Sequence, residues 1–262
     1  MQVKLTLELA EALSPTVDQL ISDQVASRIA AKDSTVWGSE AEAEAAIRLG
    51  WVDSAKSSVD LIPAILKLRD QFREQGLDRV VLCGMGGSSL APEVIGKNTN
   101  HEIVILDSTA PDQVQSAVRD LERTIVVVSS KSGSTVETDS QKRAFEAGFR
   151  AEGIDPRDRI VIVTDPGSPL QDAAESDGYR VFNADPTVGG RYSALTAFGL
   201  VPTGLAGSDI STLLANASMA RSELASDSID NPALWLAAAL AATPGSNGVK
   251  DKFLIETDLL PG

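Results

Sequence analysis

The clearest fold signal in the chain is residues 126–135, VVVSSKSGST. A β-branched apolar run, typical of a buried strand, breaks there into serines, a lysine, a glycine and a threonine. A helix-like segment over 136–151 follows directly. Hydroxyls and backbone N–H groups therefore lie at a helix N-terminus, which binds anions because the first N–H groups lack internal partners and the helix dipole is positive there. We expect this loop to bind a phosphate group.

Similar apolar runs recur through the middle of the chain. They predict strands at 79–83, 102–106, 124–128, 159–163 and, more weakly, 179–182. Helix-like segments lie between them, at 89–96, 111–120, 136–151 and 168–176. Such alternation is typical of a parallel sheet covered on both faces, so we predict an α/β fold with a doubly wound five-stranded parallel sheet, a flavodoxin-like sandwich. Ligands of such sheets bind at the carboxyl ends of the strands.

The flanking segments have a different pattern. Residues 1–76 are rich in Ala and Glu and carry apolar residues at helical spacing, with Gly76 as a helix stop. Residues 206–262 are predicted to hold helices and one last strand at 252–257. We therefore expect a helical N-terminal segment over 1–76, a sheet domain over 77–205 and a C-terminal segment over 206–262.

The composition excludes several classes of partner. The 262 residues carry a formal net charge of −14, and nucleic acids and anionic membranes bind basic surfaces, so we expect neither as a partner. A single cysteine, Cys83, excludes internal disulfides and thiolate clusters. No run approaches about 18 apolar residues, and the start has no signal-peptide pattern. We expect a cytoplasmic protein with no metal and no cofactor.

The first strand-end loop is GMGGSS, residues 84–89. Its glycines let backbone N–H groups approach a ligand, and Ser88 adds a hydroxyl at the start of the next helix. From this loop alone three interpretations remain open: a phosphate site, a tight turn with an N-cap serine, and a dinucleotide-binding turn with Asp107 as the ribose ligand. The dinucleotide pattern lacks its third glycine, because Ser89 stands there.

The loop at 130–135 favours the phosphate site. A dinucleotide fold needs no second hydroxyl-rich loop after its third strand, whereas a phosphate monoester needs several convergent donors. The loop offers hydroxyls and one charge, from Ser130, Ser132, Thr135 and Lys131. The alternative is a capping box, with Ser134 or Thr135 as the cap and Glu137 or Thr138 in the first turn. One hydroxyl is enough for a cap, so the surplus favours ligand binding.

A third motif, PTVGGRYS at 186–193, sets an arginine on a glycine turn ahead of another helix. A guanidinium held in this way can face a developing oxyanion, although a surface arginine is an equal alternative. Other titratable groups are less informative. His101 precedes a strand and is predicted to be a solvated turn residue, and Cys83 to be a buried small hydrophobe. Asp165 follows a strand end, where loops commonly place capping aspartates.

Together the motifs at 84–88, 130–135 and 189–193 resemble the glucose-6-phosphate isomerase family of the sugar isomerase (SIS) superfamily. The third motif, with ALTAFGL at 194–200 after it, is similar to that family's own signature, and the first two are shared more widely among SIS domains. The resemblance implies an SIS domain over 77–205. It also implies an aldose–ketose isomerase that interconverts glucose 6-phosphate and fructose 6-phosphate in glycolysis and gluconeogenesis, and a homodimer in the complete protein.

The resemblance also implies roles for individual residues. The sugar phosphate would be held by hydroxyls and one lysine, namely Ser88, Ser130, Lys131, Ser132 and Thr135. Gly87 and Gly190 would let the backbone approach the sugar. Arg191 would stabilise the enediolate during proton transfer between C1 and C2, and Glu137 matches a family glutamate near the active site.

One departure from the family pattern limits the expected activity. The isomerase also uses a glutamate base, a ring-opening histidine and a late lysine, all in the family's second half, and isomerisation needs a base to move the C2 proton. We therefore expect an N-terminal half, with 206–262 as a helical linker and the start of a truncated second SIS-like half, that binds phosphosugar without turnover. The alternatives are a non-catalytic SIS phosphosugar-binding module and a nucleotide-dependent oxidoreductase.

Overall fold

The computed structural model describes residues 6–241 and contains a five-stranded sheet. The strands are β1 (Arg79–Gly84), β2 (Val104–Leu106), β3 (Thr124–Ser130), β4 (Ile160–Thr164) and β5 (Arg180–Asn183). They lie in the order β2-β1-β3-β4-β5, and every pairing is parallel. The predicted five-stranded parallel α/β sheet is confirmed. The strand predicted at 252–257 lies outside the described residues.

Helices alternate with the strands and also precede and follow the sheet in sequence. Their bounds are α1 (Leu7–Ser22), α2 (Val25–Ala30), α3 (Glu42–Arg48), α4 (Ser54–Ser57), α5 (Ile62–Glu74), α6 (Gly87–Asn98), α7 (Pro111–Ala117), α8 (Val136–Ala151), α9 (Pro169–Asp177), α10 (Ala197–Ala206), α11 (Ile210–Leu224) and α12 (Pro232–Ala241). No helix among residues 6–241 combines the length and the apolar character needed to cross a membrane.

Helices α6 and α7 differ from their predicted bounds. Helix α6 begins at Gly87, two residues earlier than expected, so Ser88 lies in its first turn. Helix α7 ends at Ala117 rather than at 120, since Val118 leaves the helical conformation and Asp120 has a positive φ of 51°. Helix α8 has the predicted bounds, and Gly76, with a φ of 77°, follows the end of α5 as expected.

Strand β3 is central, and all seven of its residues are buried. Strand side chains alternate between the two faces of a sheet. On one face Val126 and Val128 pack with Phe145 and Phe149 of α8, all fully buried. Each such side chain contributes about 1.5–3 kcal/mol when removed from water. This aliphatic and aromatic layer fixes the position of α8, and with it the position of the loop between β3 and α8.

The strand register brings three loops together at the carboxyl edge of the sheet. Gly84 of β1 lies opposite Ser129 of β3, and Ser130 lies opposite Thr164 of β4. Parallel strands end at the same edge, so the loops after β1, β3 and β4 begin side by side. The candidate residues of the first two loops therefore lie at one end of the sheet.

The chain divides into two compact units. Residues 53–214 form one unit, which contains the sheet and its helices. Residues 6–52 and 215–241 form the other, in which Leu13, Val17, Ala26, Leu234 and Ala238 make a small apolar core. These units do not follow the domain bounds predicted at 76 and 205. Those bounds, and the second SIS-like half, remain predictions.

Candidate functional site

The loop between β3 and α8 is folded onto itself by its own hydroxyls. The buried Ser130 hydroxyl donates to Thr135 Oγ1 at 3.1 Å and accepts from the Gly133 N–H at 3.2 Å. The exposed Ser132 hydroxyl accepts from the Ser134 N–H at 3.3 Å. Gly133 has a φ of 69°, which side chains rarely adopt. The structure thus brings the predicted hydroxyls together in one compact loop, called the hydroxyl loop below (residues 130–135).

The hydroxyl loop does not cap the helix with a side chain. Thr135 occupies the N-cap position of α8 in an extended conformation, but its hydroxyl makes no capping hydrogen bond. It accepts from Ser130 instead, and the Ser134 hydroxyl bonds to Ser132. The capping-box alternative is therefore wrong. A helix N-terminus without such a cap keeps N–H donors and positive dipole character for an anion.

A cavity of about 200 Å³ lies beside the hydroxyl loop. Its walls come from the end of β3, the loop, the first turn of α8 and one side chain of α9, namely Val128, Ser130, Gly133, Ser134, Thr135, Val136, Thr138, Asp139 and Leu170. The Thr138 hydroxyl is buried and has no hydrogen-bond partner among the described residues. A buried hydroxyl without a partner is costly, by about 1–3 kcal/mol, so it marks a position where a ligand would complete the bonding.

Thr138 is a functional candidate that the sequence interpretation missed. It lies three residues after Thr135, and residues at this spacing share one face of a helix. The spacing was therefore a usable signal. Glu137, by contrast, is exposed and does not line the cavity. The structure gives no contact that supports the role expected for Glu137.

Lys131 belongs to the hydroxyl loop, but its ammonium group forms an ion pair with a residue of another loop. Its Nζ is 2.5 Å from Asp165 Oδ2, just after the end of β4. Both side chains are mostly buried, 25% and 16% exposed. Asp165 thus pairs with a loop lysine instead of capping its own loop. Asp185, also at a strand end, accepts from the Thr187 N–H and hydroxyl, as expected of a turn aspartate.

The loop after β4 supports the hydroxyl loop from one side. The Thr164 hydroxyl donates to the Ser130 carbonyl at 2.7 Å and is 2.7 Å from the Ser168 hydroxyl. A Cβ on Gly133 would lie 2.9 Å from the Ser168 Cβ and 2.9 Å from the Leu170 N atom. This position therefore has no room for a side chain, and the two loops are in close contact.

The first and third motifs meet through their backbones. A Cβ on Gly87 would lie only 2.5 Å from the Gly190 carbonyl oxygen. The Ser193 hydroxyl donates to that same carbonyl at 2.7 Å. On the β3 side, a Cβ on Gly84 would lie 3.3 Å from the Ser88 Cβ and 3.4 Å from the Ser129 Cβ. Ser88 thus lies over the end of β1 beside the end of β3, as the prediction of one shared site requires.

Arg191 lies on the loop that contacts Gly87. It follows Gly190 in a short 3₁₀ turn, Gly190–Leu195, and its side chain is exposed. Within residues 6–241 its guanidinium makes no hydrogen bond or ion pair. This arginine is therefore available to a ligand, in contrast to Lys131. The close contact between Gly87 and Gly190 positions the glycine turn that carries Arg191.

Cys83 and His101 lie outside this constellation. Cys83 is fully buried in β1, and burial raises the pKa of its thiol, which is consistent with the predicted packing role. His101 is only partly exposed, and its Nδ1 atom is buried without a hydrogen-bond partner among the described residues. The prediction of a solvated His101 is therefore corrected. In the described part of the chain, no group of three or more His, Cys, Asp and Glu side chains could hold a metal ion.

A second polar cluster lies at the amino edge of the sheet and contains paired charges. Lys142 Nζ is 2.6 Å from Glu146 Oε1, which also accepts from the Tyr179 hydroxyl at 2.7 Å. Arg150 lies 3.5 Å from the other oxygen of Glu146. Burial favours the neutral carboxyl, but hydrogen bonds from Lys142 and Tyr179 outweigh it and lower the pKa of Glu146. We call Lys142, Glu146 and Tyr179 the amino-edge cluster.

Comparisons with known proteins show the family to which the chain belongs. A model of the phosphoglucose isomerase family matches residues 71–243. The chain belongs to the phosphoglucose isomerase family. The resemblance seen in the three sequence motifs is thereby confirmed, and the matched residues include all three of them.

Several members of the phosphoglucose isomerase family are similar to the chain over part of their length. The glucose-6-phosphate isomerase of a Thermus thermophilus strain is 35% identical over 178 residues, which cover 64% of this chain and 42% of that protein. The probable glucose-6-phosphate isomerase of Haloarcula marismortui is 28% identical over 89% of this chain and 53% of its own length. The chain thus spans about half the length, or less, of the curated relatives it matches.

Two solved structures share the fold of this chain. A hypothetical protein from Thermus thermophilus superposes with a TM-score of 0.76 at 30% identity, over 88% of this chain and 54% of that one. A glucose-6-phosphate isomerase from Chlamydia trachomatis shares the fold, with a TM-score of 0.66 at 23% identity over 89% of this chain and 50% of its own.

Proposed function

We propose that this chain is the sugar-phosphate-binding half of a glucose-6-phosphate isomerase. The observation that carries the proposal is the cavity beside the hydroxyl loop, where Ser130, Thr135 and the unpartnered Thr138 hydroxyl lie at the N-terminus of α8. Phosphate oxygens accept several hydrogen bonds at once, and the helix dipole stabilises their charge. Ser88 and Ser132 would add donors from the neighbouring loop and from the exposed side.

The sugar would lie toward the contact between Gly87 and Gly190. Neither glycine places a side chain between the backbone and a ligand, and Arg191 follows directly on the same turn. In isomerisation a base takes the C2 proton, the C1–C2 bond becomes double, and negative charge develops on the C1 oxygen before a proton returns to C1. The role of Arg191 would be to stabilise that oxyanion.

The base is proposed to come from the second half of the longer protein. The complete enzyme would interconvert glucose 6-phosphate and fructose 6-phosphate, serve glycolysis and gluconeogenesis in the cytoplasm, and assemble as a homodimer. The present chain would bind hexose phosphate without turnover. This division of labour is supported by the relatives, of which the chain covers 42% and 53% in two cases.

Calorimetric titration of the 262-residue chain with 6-phosphogluconate, gluconate and NADP⁺ tests the binding proposal. We expect 6-phosphogluconate to bind, gluconate to bind far more weakly because it lacks the phosphate, and NADP⁺ not to bind. Preferred binding of NADP⁺ would instead support an oxidoreductase. Conversion of glucose 6-phosphate by the chain alone would contradict the proposed need for a second half.

Kinetics of the complete protein separate an isomerase from a module that only binds. In that protein Arg191→Ala should lower kcat more than it raises KM, because the charge that it stabilises exists only during the reaction. An unchanged kcat would show that Arg191 does not stabilise the charge that develops during the reaction. A complete protein that binds hexose phosphate but never converts it would support the non-catalytic alternative.

A further inference from the structure

The ion pair between Lys131 and Asp165 is built into the strand register. Ser130 and Thr164 are the last paired residues of β3 and β4, so Lys131 and Asp165 leave the sheet side by side. Their charged atoms are 2.5 Å apart, and both side chains are mostly buried. Ordering the flexible Lys131 side chain costs about 1.5–2 kcal/mol of conformational entropy. The short distance between the two strand ends and the partial burial of both groups favour the pair against that cost.

Asp165 has no other compensation within the described residues. Its Oδ1 atom is buried and accepts no hydrogen bond, and its Oδ2 atom binds Lys131. A buried carboxylate needs a counter-charge, so Asp165 depends on this lysine. The loop hydroxyls, meanwhile, bond to one another and not to Lys131. The positive charge of the hydroxyl loop, on Lys131, is therefore already paired with the Asp165 carboxylate.

We propose that Asp165 is a positioning residue that holds the Lys131 ammonium against the end of β4, offsets its charge, and so limits how tightly the hydroxyl loop binds a phosphate group. This inference rests on the proposed phosphate site. At that site the affinity for phosphate comes from the hydroxyls and from the N-terminus of α8. The charge of Lys131 mainly offsets that of the Asp165 carboxylate beside the ligand. Limited affinity suits a site that has to release a phosphorylated product.

The two charges should act in opposite directions on phosphate binding. Lys131→Met leaves an unpaired carboxylate near the anion and should weaken binding of inorganic phosphate about tenfold. Asp165→Asn frees the ammonium and removes the repelling charge, and should tighten binding about threefold to tenfold. The double variant has neither charge and should bind within about twofold of the wild type.

Asp139→Asn is the matched control. Asp139 lines the cavity beside the hydroxyl loop, and its side chain is half exposed to solvent in an ion pair with Arg143. The variant therefore removes one negative charge near the site, where water screens it, without touching Lys131. We expect a smaller gain in affinity than for Asp165→Asn. Equal gains in the two variants would assign the effect to the general field and overturn the specific role of Asp165.

A lysine-selective ¹H–¹⁵N spectrum provides a readout that a purely structural role would not move. An ammonium held in a buried ion pair exchanges its protons slowly, so Lys131 should give a cross-peak in the wild type that is lost in Asp165→Asn and in Lys131→Met. A backbone spectrum of each variant checks that it is folded. Retention of the Lys131 cross-peak in a folded Asp165→Asn protein would overturn the positioning role.

The titrations separate failure of this inference from failure of the proposed function. If wild type binds both phosphate and 6-phosphogluconate, and Asp165→Asn weakens rather than tightens binding, only the role of Asp165 is overturned. If no variant binds phosphate or 6-phosphogluconate, the proposed site fails and this inference fails with it.

Discussion

The two edges of the sheet differ in how their buried polar groups are bonded. At the amino edge, the cluster of Lys142, Glu146 and Tyr179 satisfies its charges internally. At the carboxyl edge, the hydroxyls of Ser129 and Thr138 are buried without partners among the described residues. Paired groups stabilise the fold, whereas an unpaired buried hydroxyl that lines a cavity, such as that of Thr138, is available to a ligand. Within residues 6–241, unpartnered buried nitrogens also occur near the amino edge, at His101 Nδ1 and Arg159 Nε. The cavity beside the hydroxyl loop is therefore what makes the carboxyl edge the candidate binding edge.

The largest expected effect tests the amino edge. Lys142→Met leaves Glu146 mostly buried and without its main counter-charge, so we expect a loss of about 3 kcal/mol in the free energy of unfolding. Arg143→Met is the matched control on the same helix, since its ion pair with Asp139 is largely exposed and worth about 0.5 kcal/mol. Urea unfolding followed by circular dichroism measures both. Equal losses in the two variants would show that the amino-edge cluster contributes no more to stability than an exposed ion pair.

The next effect concerns the contact that joins the first and third motifs. Gly87→Ala places a Cβ 2.5 Å from the Gly190 carbonyl oxygen, so the two backbones have to separate, at about 1–3 kcal/mol. Gly190→Ala is the control, because no atom lies within 4 Å of its Cβ position. Thermal unfolding should therefore distinguish two substitutions of the same chemistry. A Gly87→Ala protein as stable as Gly190→Ala would contradict the described contact.

Thr138→Val tests whether the unpaired hydroxyl at the carboxyl edge lowers the stability of the fold but contributes to ligand binding. Valine has nearly the same shape as threonine but no hydroxyl, so the free energy of unfolding should stay the same or rise by up to about 1 kcal/mol. Binding of 6-phosphogluconate should weaken about tenfold, as for the loss of a hydrogen bond to a charged group. Thr138→Ser should keep the affinity. Unchanged affinity in Thr138→Val would exclude Thr138 from the site.

The smallest effect is a pH dependence at the amino edge. Lys142 and Tyr179 lower the pKa of Glu146 in the folded protein, so the ionised carboxylate stabilises the fold at neutral pH. Since the folded pKa lies below the unfolded one, this contribution is complete above the unfolded value and is lost as the pH falls through the folded value. Denaturation curves of Glu146→Gln against wild type between about pH 3 and 7 should converge at low pH. Parallel curves would contradict the assignment.

Much of the carboxyl edge follows from local sequence. The hydroxyl loop, the bounds of α8 and the five strands depend on residue types that are close together in the chain, so periodicity and turn chemistry predict them. The pair of Lys131 and Asp165 depends instead on β3 lying beside β4, and strand order is a property of the whole sheet. Asp165 is therefore indistinguishable from a capping aspartate until that order is known.

The amino-edge cluster and the surroundings of His101 could not be predicted from residues that are close together in the chain. Glu146 and Tyr179 are joined across the end of α8 and the start of β5, which no spacing rule connects. His101 precedes a strand, where exposure is the ordinary expectation, yet a Cβ on Gly207 would lie 2.7 Å from its imidazole ring. The partial burial of His101 thus arises from a chain segment about 100 residues away in sequence.

The contact between Gly87 and Gly190 also bears on the order of folding. It closes a loop of about 100 residues, and contacts of such sequence separation form late because much chain entropy has to be lost first. The hydroxyl loop, made of consecutive residues, can form as soon as β3 and α8 are in place. During synthesis the anion-binding loop would therefore exist before the turn that carries Arg191, and a nascent chain would acquire affinity for phosphate before it could acquire any chemistry.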